Sequence, residues 1–338
     1  MILHSCKTYH VLCGHKWIAS AFMDTQSDFP DITITNFKSD EVKGSGILTF
    51  FKIYFFDKKS DLVIADGLRM AFLFTLLNTI FFWKKIRILV YNTYFYYPSR
   101  KPLIKIYQIM KATILKHSVR HFILFSTSEQ RDCQKIFKIS ANKLSYIPFH
   151  ILHENELSKF EPHEEDFIFS GGNSCRDYET LFEAVSSLEI KTRVFSTINF
   201  DMKRLPKNVE IILNDHSVRA FYGPMSNAIL VVILLESDIL RSAGQGTYLS
   251  AMYLGKCCIV SDTPGVRDLI EDGETGIIVP PRDPEKLRNT IIELLSNRNR
   301  RNIIGTSAKK YVSQHRRYKQ HMINTFTVVQ NALRIRDI

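Results

Sequence analysis

Residues 242–262 read SAGQGTYLSAMYLGKCCIVSD: a glycine-broken loop, a short helical run and an apolar strand. The chemistry such a pattern offers is anion binding. Gly244 and Gly246 lack a Cβ, so the backbone there can turn tightly and come close to a ligand. Gln245 and Thr247 place an amide and a hydroxyl where the helix should begin. Unpaired N–H groups and the helix dipole both point at that start and favour negative charge. Ala251, Met252 and Leu254 continue with helical character to Gly255, a natural stop, and the apolar run over 257–260 reads as a buried strand. The same pattern also serves a tight loop that only packs a helix on a sheet. Residue types alone leave both readings open.

The neighbouring elements must hold this loop in place. Upstream, Phe167-Ile168-Phe169-Ser170-Gly171-Gly172 is a strand running into a double glycine. A helix is predicted over 178–188, with Leu181, Phe182, Ala184 and Val185 on one face. Strands are predicted near 193–195, 209–213 and 229–235. Downstream, Thr263-Pro264-Gly265 predicts a helix reaching Ile270, followed by a glycine turn at 272–276. Asp283 as N-cap and Pro284 at the first helical position predict a helix to Leu295.

The first half has the same rhythm. Short apolar strands are predicted at 62–65, 88–90, 122–125 and 143–148, with helical spacing over 102–116 and a helix start at Ser126-Thr127-Ser128-Glu129. Residues 70–83 are apolar nearly all round, yet too short for a membrane span of roughly twenty. They read as a core helix or as one lying in a membrane interface. Alternation of strand and helix predicts an α/β chain of parallel sheets wrapped by helices. The polar, acidic run HENELSKFEPHEED predicts a linker over 153–166, separating a domain over 1–152 from one over 167–338.

Bulk composition agrees with two soluble domains. A length of 338 residues suits two cores, and 45% hydrophobic with 23% charged residues is ordinary for a globular chain. The six cysteines form no CxxC pair and no metal-ligand spacing, which predicts reduced, buried thiols, no metal and a cytoplasmic protein. The apolar start is broken by His4, Lys7 and His10, so no cleavable signal is read there. Charge is uneven: residues 1–160 carry 22 Lys and Arg against 12 Asp and Glu, the remainder 23 against 22. A basic half suits an anionic membrane surface or a nucleic acid. With no zinc-finger, RNA-binding or helix-turn-helix pattern, a peripheral membrane surface is the preferred partner and nucleic acid is set aside. A basic surface kept for solubility alone is the other reading.

Taken in order, FIFSGGNSCRDYETLFEAV, LPKNVEI, SAGQGTYLSAMYLGKCCIVSD and TPGVRDLIEDGETGIIVPPRDPEKL make the second half resemble the donor-binding domain of GT-B glycosyltransferases of the family 4 group. The resemblance covers about residues 167–312. It implies two Rossmann-like domains facing across a cleft. It also implies a transferase moving sugar from a nucleotide-diphosphate-sugar to a glycan or lipid-linked acceptor, with retention, without a metal and with no tightly bound cofactor. Arg176 stands where the family usually has a lysine on the diphosphate, and a guanidinium suits phosphate oxygens. A surface pair with Asp177 or Glu179 is the alternative for Arg176. The resemblance places Gly171 and Gly172 close to that phosphate and Gly244, Gln245, Gly246 and Thr247 around it. Asn173 replaces an arginine, and Asn214 with Asp215 lies near the base.

Two departures stand out. The family commonly has two glutamates, for the donor sugar and the ribose, where this chain has Ser242 and Ser250. A hydroxyl cannot bind two ribose hydroxyls as a carboxylate does. Glu236 or Asp238, before the helix, offers a substitute carboxylate. The family also opens with a glycine-rich loop, whereas Gly14 is the only glycine in the first forty residues, and none of His4, His10 or His15 can be assigned to catalysis. An active glycosyltransferase, with Arg176 and the helix start stabilising the departing diphosphate, is therefore weighed against a non-catalytic relative that keeps nucleotide-sugar binding or acts as a partner subunit. Sugar-nucleotide epimerisation fits less well, because no carboxylate constellation can be named.

Overall fold

A computed structural model describes residues 9–13, 26–36, 54, 60–81, 86–91, 102–213, 217–239 and 241–334. The chain divides into two compact units: Met1–Ile147 with Lys319–Ile338, and Pro148–Tyr318.

The described strands of the first unit are β1 (Tyr9–Cys13), β2 (Ile32–Asn36), β3 (Leu62–Asp66), β4 (Arg87–Tyr91), β5 (Val119–Leu124) and β6 (Leu144–Tyr146). All pair in parallel, in the order β2-β1-β3-β4-β5-β6. Leu62, Val63, Ile64 and Ala65 are all buried, the continuous apolar run of a strand covered on both faces. At Gly67 the backbone takes a φ of 78°, which lets β3 turn directly into helix α1 (Gly67–Ile80). Helix α1 buries Leu68, Ala71, Phe74 and Leu77. Its outer side exposes Leu76 and Ile80, so only part of the apolar stretch is core. Phe82 and Trp83, like Gly14, His4 and His15, lie outside the described residues. Helices α2 (Pro102–Ser118) and α3 (Thr127–Lys135) follow; Ser126 caps α3 by accepting from the Glu129 amide at 3.0 Å.

The second unit contains β7 (Glu165–Gly171), β8 (Lys191–Ser196), β9 (Val209–Leu213), β10 (Ala228–Ile233), β11 (Cys258–Ser261) and β12 (Ile277–Val279). They pair in parallel in the order β12-β11-β10-β7-β8-β9. Counted within the unit, this is the doubly wound dinucleotide-fold order, in which the winding reverses between β7 and β10. Its helices are α4 (Glu154–Leu157), α5 (Tyr178–Val185), α6 (Val218–Asn227), α7 (Gln245–Tyr253), α8 (Pro284–Ser296) and α9 (Arg298–His315). One apolar layer joins Phe169, Phe221, Tyr248, Leu249 and Val260; a second joins Ile168, Leu181, Val232, Ile259 and Leu287.

The structure departs from the sequence reading in three places. The final helix, α10 (Tyr318–Arg334), belongs to the first unit rather than to a domain over 167–338. Its Phe326 ring lies 5.7 Å from that of Phe29, and Gln330 donates to the Asp31 carboxylate at 2.9 Å. The acidic run over 153–166 is no free linker: it contains α4, buries Leu157 and enters β7 at Glu165. Residues 263–270 form successive turns instead of a helix, because Gly265 takes a φ of 86° where a helix needs right-handed backbone. The cap at Asp283 is as read, accepting from the Lys286 amide at 2.8 Å with Pro284 following.

Candidate functional site

In a doubly wound sheet the ligand crevice opens at the carboxyl ends of the strands where winding reverses. Here those ends are Gly171 on β7 and the chain leaving β10. Residues 172–177 and 234–236 meet there as a short antiparallel bridge: the Asp177 amide donates to the Leu234 carbonyl at 3.2 Å, and the Glu236 amide to the Cys175 carbonyl at 3.1 Å. The glycine loop opening α7 follows immediately.

Arg176 joins these segments. Its Nε donates to the Gly171 carbonyl at 2.9 Å, Nη1 to the Ser174 carbonyl at 2.8 Å and Nη2 to the Thr247 Oγ1 at 3.0 Å. The guanidinium has five N–H donors, so two remain for another acceptor. Burial pushes its pKa down from the usual value, and the charge of Arg241 adds to the fall. Arg241 reaches the same loop from the other strand end, donating to Ser174 Oγ at 2.6 Å and Cys175 Sγ at 3.0 Å. Among the described residues no carboxylate pairs with Arg176. Asp177, the neighbour that sequence offered as its partner, caps α5 instead, accepting from the Thr180 amide at 3.0 Å and hydroxyl at 2.7 Å. Two cations so placed favour an anion between the β7 loop and the α7 start.

Two glycines are required by the geometry. Gly172 has a φ of 105°, and a Cβ on it would overlap the Arg176 guanidinium. Gly244 has a φ of 70°, caps α7, and a Cβ there would lie 3.3 Å from Arg176 Nη1. The structure thus brings Gly171, Gly172, Arg176, Gly244 and Thr247 together around one guanidinium.

The remaining expected residues are placed differently. Asn173 is exposed but anchors its loop to the end of β8, its Oδ1 accepting from Ser196 Oγ at 2.8 Å and the Thr197 amide at 2.9 Å. Gly246 makes room for protein: a Cβ there would stand 2.5 Å from Leu152. Gln245 is buried and Ser242 half-buried. Ser250 is fully buried; its hydroxyl donates to the Gly246 carbonyl at 2.7 Å and hydrogen-bonds Tyr222 on α6. It therefore faces protein rather than solvent, which corrects its assignment as a direct ligand contact. Of the two substitute carboxylates, Glu236 is exposed and Asp238 pairs with Arg282 at 2.8 Å. Asn214 and Asp215 lie outside the described residues. His10 sits within β1, its amide donating to Asp61 at 2.9 Å. Arg241 was missed by the sequence reading, although it directly precedes Ser242. Among the described residues no group of three or more His, Cys, Asp or Glu is arranged for a metal, and no helix is long and apolar enough to cross a membrane.

Comparison with known proteins bears on the same region. Residues 203–311 match the family model described as Glycosyl transferases group 1. Over 126 residues the chain is 30% identical to an uncharacterized glycosyltransferase of Methanocaldococcus jannaschii, covering 36% of this chain and 32% of that protein. The chain thus spans about a third of the length of the curated relative it matches. Similar solved structures include sucrose-phosphate synthase from Thermosynechococcus elongatus, with a TM-score of 0.71, 14% identity, and 96% and 99% of the two chains covered. A glycosyltransferase from Rickettsia africae gives 0.71 at 14% identity over 97% and 100%. HepE of Anabaena, solved with UDP and glucose, gives 0.74 at 12% identity over 96% and 99%. The fold is GT-B.

Proposed function

We propose, for a chain with the GT-B glycosyltransferase fold and a group 1 segment over residues 203–311, that it transfers a sugar from a nucleotide-diphosphate-sugar to a glycan or lipid-linked acceptor, with retention of configuration. The observation that carries this reading is the Arg176 guanidinium, which bridges the β7 loop and the α7 start with two N–H donors to spare and Arg241 beside it. Arg176 and Arg241 neutralise the charge that develops on the departing diphosphate, and the first-turn amides of α7 add fixed dipoles. Gly172 and Gly244 leave room for the Arg176 guanidinium that would meet the phosphates, and Gly171 offers it a carbonyl. Leaving-group stabilisation by two guanidiniums requires no metal. The Ser242 hydroxyl is assigned to the sugar or ribose, while Ser250 acts through Tyr222 and the Gly246 carbonyl. Because HepE was solved with UDP and with UDP-glucose, a UDP-sugar is the first donor to try. The chain works in the cytoplasm, with its basic first half against an anionic membrane surface.

The test is donor binding by calorimetry and turnover, with Arg176→Ala as the control. Substitution should weaken UDP-sugar binding and lower turnover by about 100-fold, the cost of one charged transition-state donor. Unchanged binding and turnover in the variant would overturn this site. A second reading, a nucleotide-sugar-binding partner subunit without activity, is favoured by Ser242 and Ser250 standing in place of carboxylates. Tight donor binding with neither hydrolysis nor transfer would select it.

A further inference from the structure

Helix α2 turns an apolar stripe outward. Leu103, Ile106, Tyr107 and Met110 stand at i, i+3, i+4 and i+7, hence on one face, and are 82, 61, 48 and 50% exposed. Ile104 and Ile109 widen the stripe, and the neighbouring helix α1 also exposes Leu76 and Ile80. Surface helices ordinarily turn such a stripe inward, and exposed apolar patches of this kind mark interaction sites.

The charge carried by the two helices has one sign. Neither α1 (GLRMAFLFTLLNTI) nor α2 (PLIKIYQIMKATILKHS) contains an Asp or Glu. Lys111 of α2 lies over the Phe72 ring of α1 at 5.8 Å from its centroid. Burial lowers the pKa of Lys111, and the charge of Arg69 on α1 lowers it further, so the two helices hold two cations close together. Lys116 and His117 follow in the last turn of α2.

We infer that this α1–α2 face docks on an anionic lipid surface, with the α2 stripe in the interface and its cations against headgroup phosphates. The inference rests on the reading that the basic first half meets a membrane, and it names the face that does so. At 17 residues α2 is too short to span the bilayer and is suited to lying in its surface. Charge argues against a second copy as the occupant: a two-fold contact through this face would set Arg69 and Lys111 against their own counterparts.

The experiment is co-sedimentation of the full chain with vesicles of phosphatidylcholine alone or with roughly 30% phosphatidylglycerol, at low and high salt. The chain should bind the anionic vesicles, bind neutral ones weakly, and release as salt rises. Ile106→Ser combined with Met110→Ser should weaken binding about tenfold, through lost interfacial burial. These side chains are already in water, so thermal stability should be unchanged. Arg69→Gln combined with Lys111→Gln should flatten the salt dependence. If the wild-type chain ignores anionic vesicles, both the membrane reading and this face fall. If it binds and the Ile106/Met110 variant binds equally, the face alone is wrong. A lipid-free dimer abolished by that variant would assign the face to self-association and overturn the inference. Donor binding, measured on the same variants, reports separately on the transferase reading.

Discussion

Arg176 Nη2 and Thr247 Oγ1 lie 3.0 Å apart, although seventy-one residues separate them in the chain. Through that bond the loop after β7 and the first turn of α7 become one surface, and Gly172 supplies the space it needs. At a φ of 105°, with the guanidinium where a Cβ would stand, Gly172→Ala must either move Arg176 or strain the loop. The expected result is a stability loss of roughly 1–3 kcal/mol together with weaker UDP-sugar binding. Chemical denaturation and calorimetry check the two effects separately.

Arg176→Lys tests whether geometry or charge matters more. A lysine retains the cation but has no planar fork, so it cannot hold Gly171 O, Ser174 O and Thr247 Oγ1 at once. Donor turnover should fall by no more than about tenfold, against the larger loss for Arg176→Ala, since a positive point charge still meets the phosphates. Thermal stability should fall in both variants, because the three neutral acceptors lose their shared donor.

What could be read in advance follows from what is local. The strand Leu62–Asp66 is visible because both its faces are buried, and the cap at Asp283 because a helix start involves only adjacent residues. The glycine loop at Gly244 was legible for the same reason. The return of α10 to the first unit was not, because its partners Phe29 and Asp31 lie about three hundred residues away in sequence. Ser250 was misjudged because its side-chain direction depends on Tyr222 of another helix, and Arg241 was overlooked because its role appears only when two strand ends meet. At residues 263–270 the Thr263-Pro264-Gly265 start suggested a helix, but Gly265 takes a positive φ that breaks it at its first turn.

Ser250→Ala separates a packing role from a ligand role. The hydroxyl is fully buried beside Tyr222, and the Gly246 carbonyl it back-bonds keeps its own helical N–H partner, so its removal should cost about 1 kcal/mol. UDP-sugar affinity should stay within about twofold, the scale of a remote substitution. A tenfold or larger loss of affinity with unchanged stability would return Ser250 to direct ligand contact.

Gly305 on α9 lies against Gly255 at the end of α7, and a Cβ on it would overlap the Gly255 carbonyl. Backbone rather than a flexible side chain blocks the way, so Gly305→Ala has to push α9 off α7. Overpacking of this kind should lower stability by about 3 kcal/mol. Helix α7 opens at the candidate site, so donor affinity should fall with it, whereas Gly273→Ala, with nothing within 4 Å of its Cβ but a φ of 81°, should cost only local backbone strain. Thermal melts of the two variants make the comparison.

Stability should also depend on acid through His121. Burial, and then the charge of Lys143, hold its pKa at about 4, while Nε2 is 2.8 Å from Ser145 Oγ. An unfolded histidine takes its proton near pH 6.5, so between there and about 4 the unfolded chain binds more protons than the folded one. The contribution is therefore fully present above pH 6.5 and drains away as pH falls to about 4, by up to about 3 kcal/mol. Urea denaturation of wild type and His121→Gln across pH 7 to 4 isolates this group from other carboxylates and histidines. The difference in stability between the two should shift in favour of the variant as pH falls through that window; a pH-independent difference would mean that His121 titrates alike in the folded and unfolded chain.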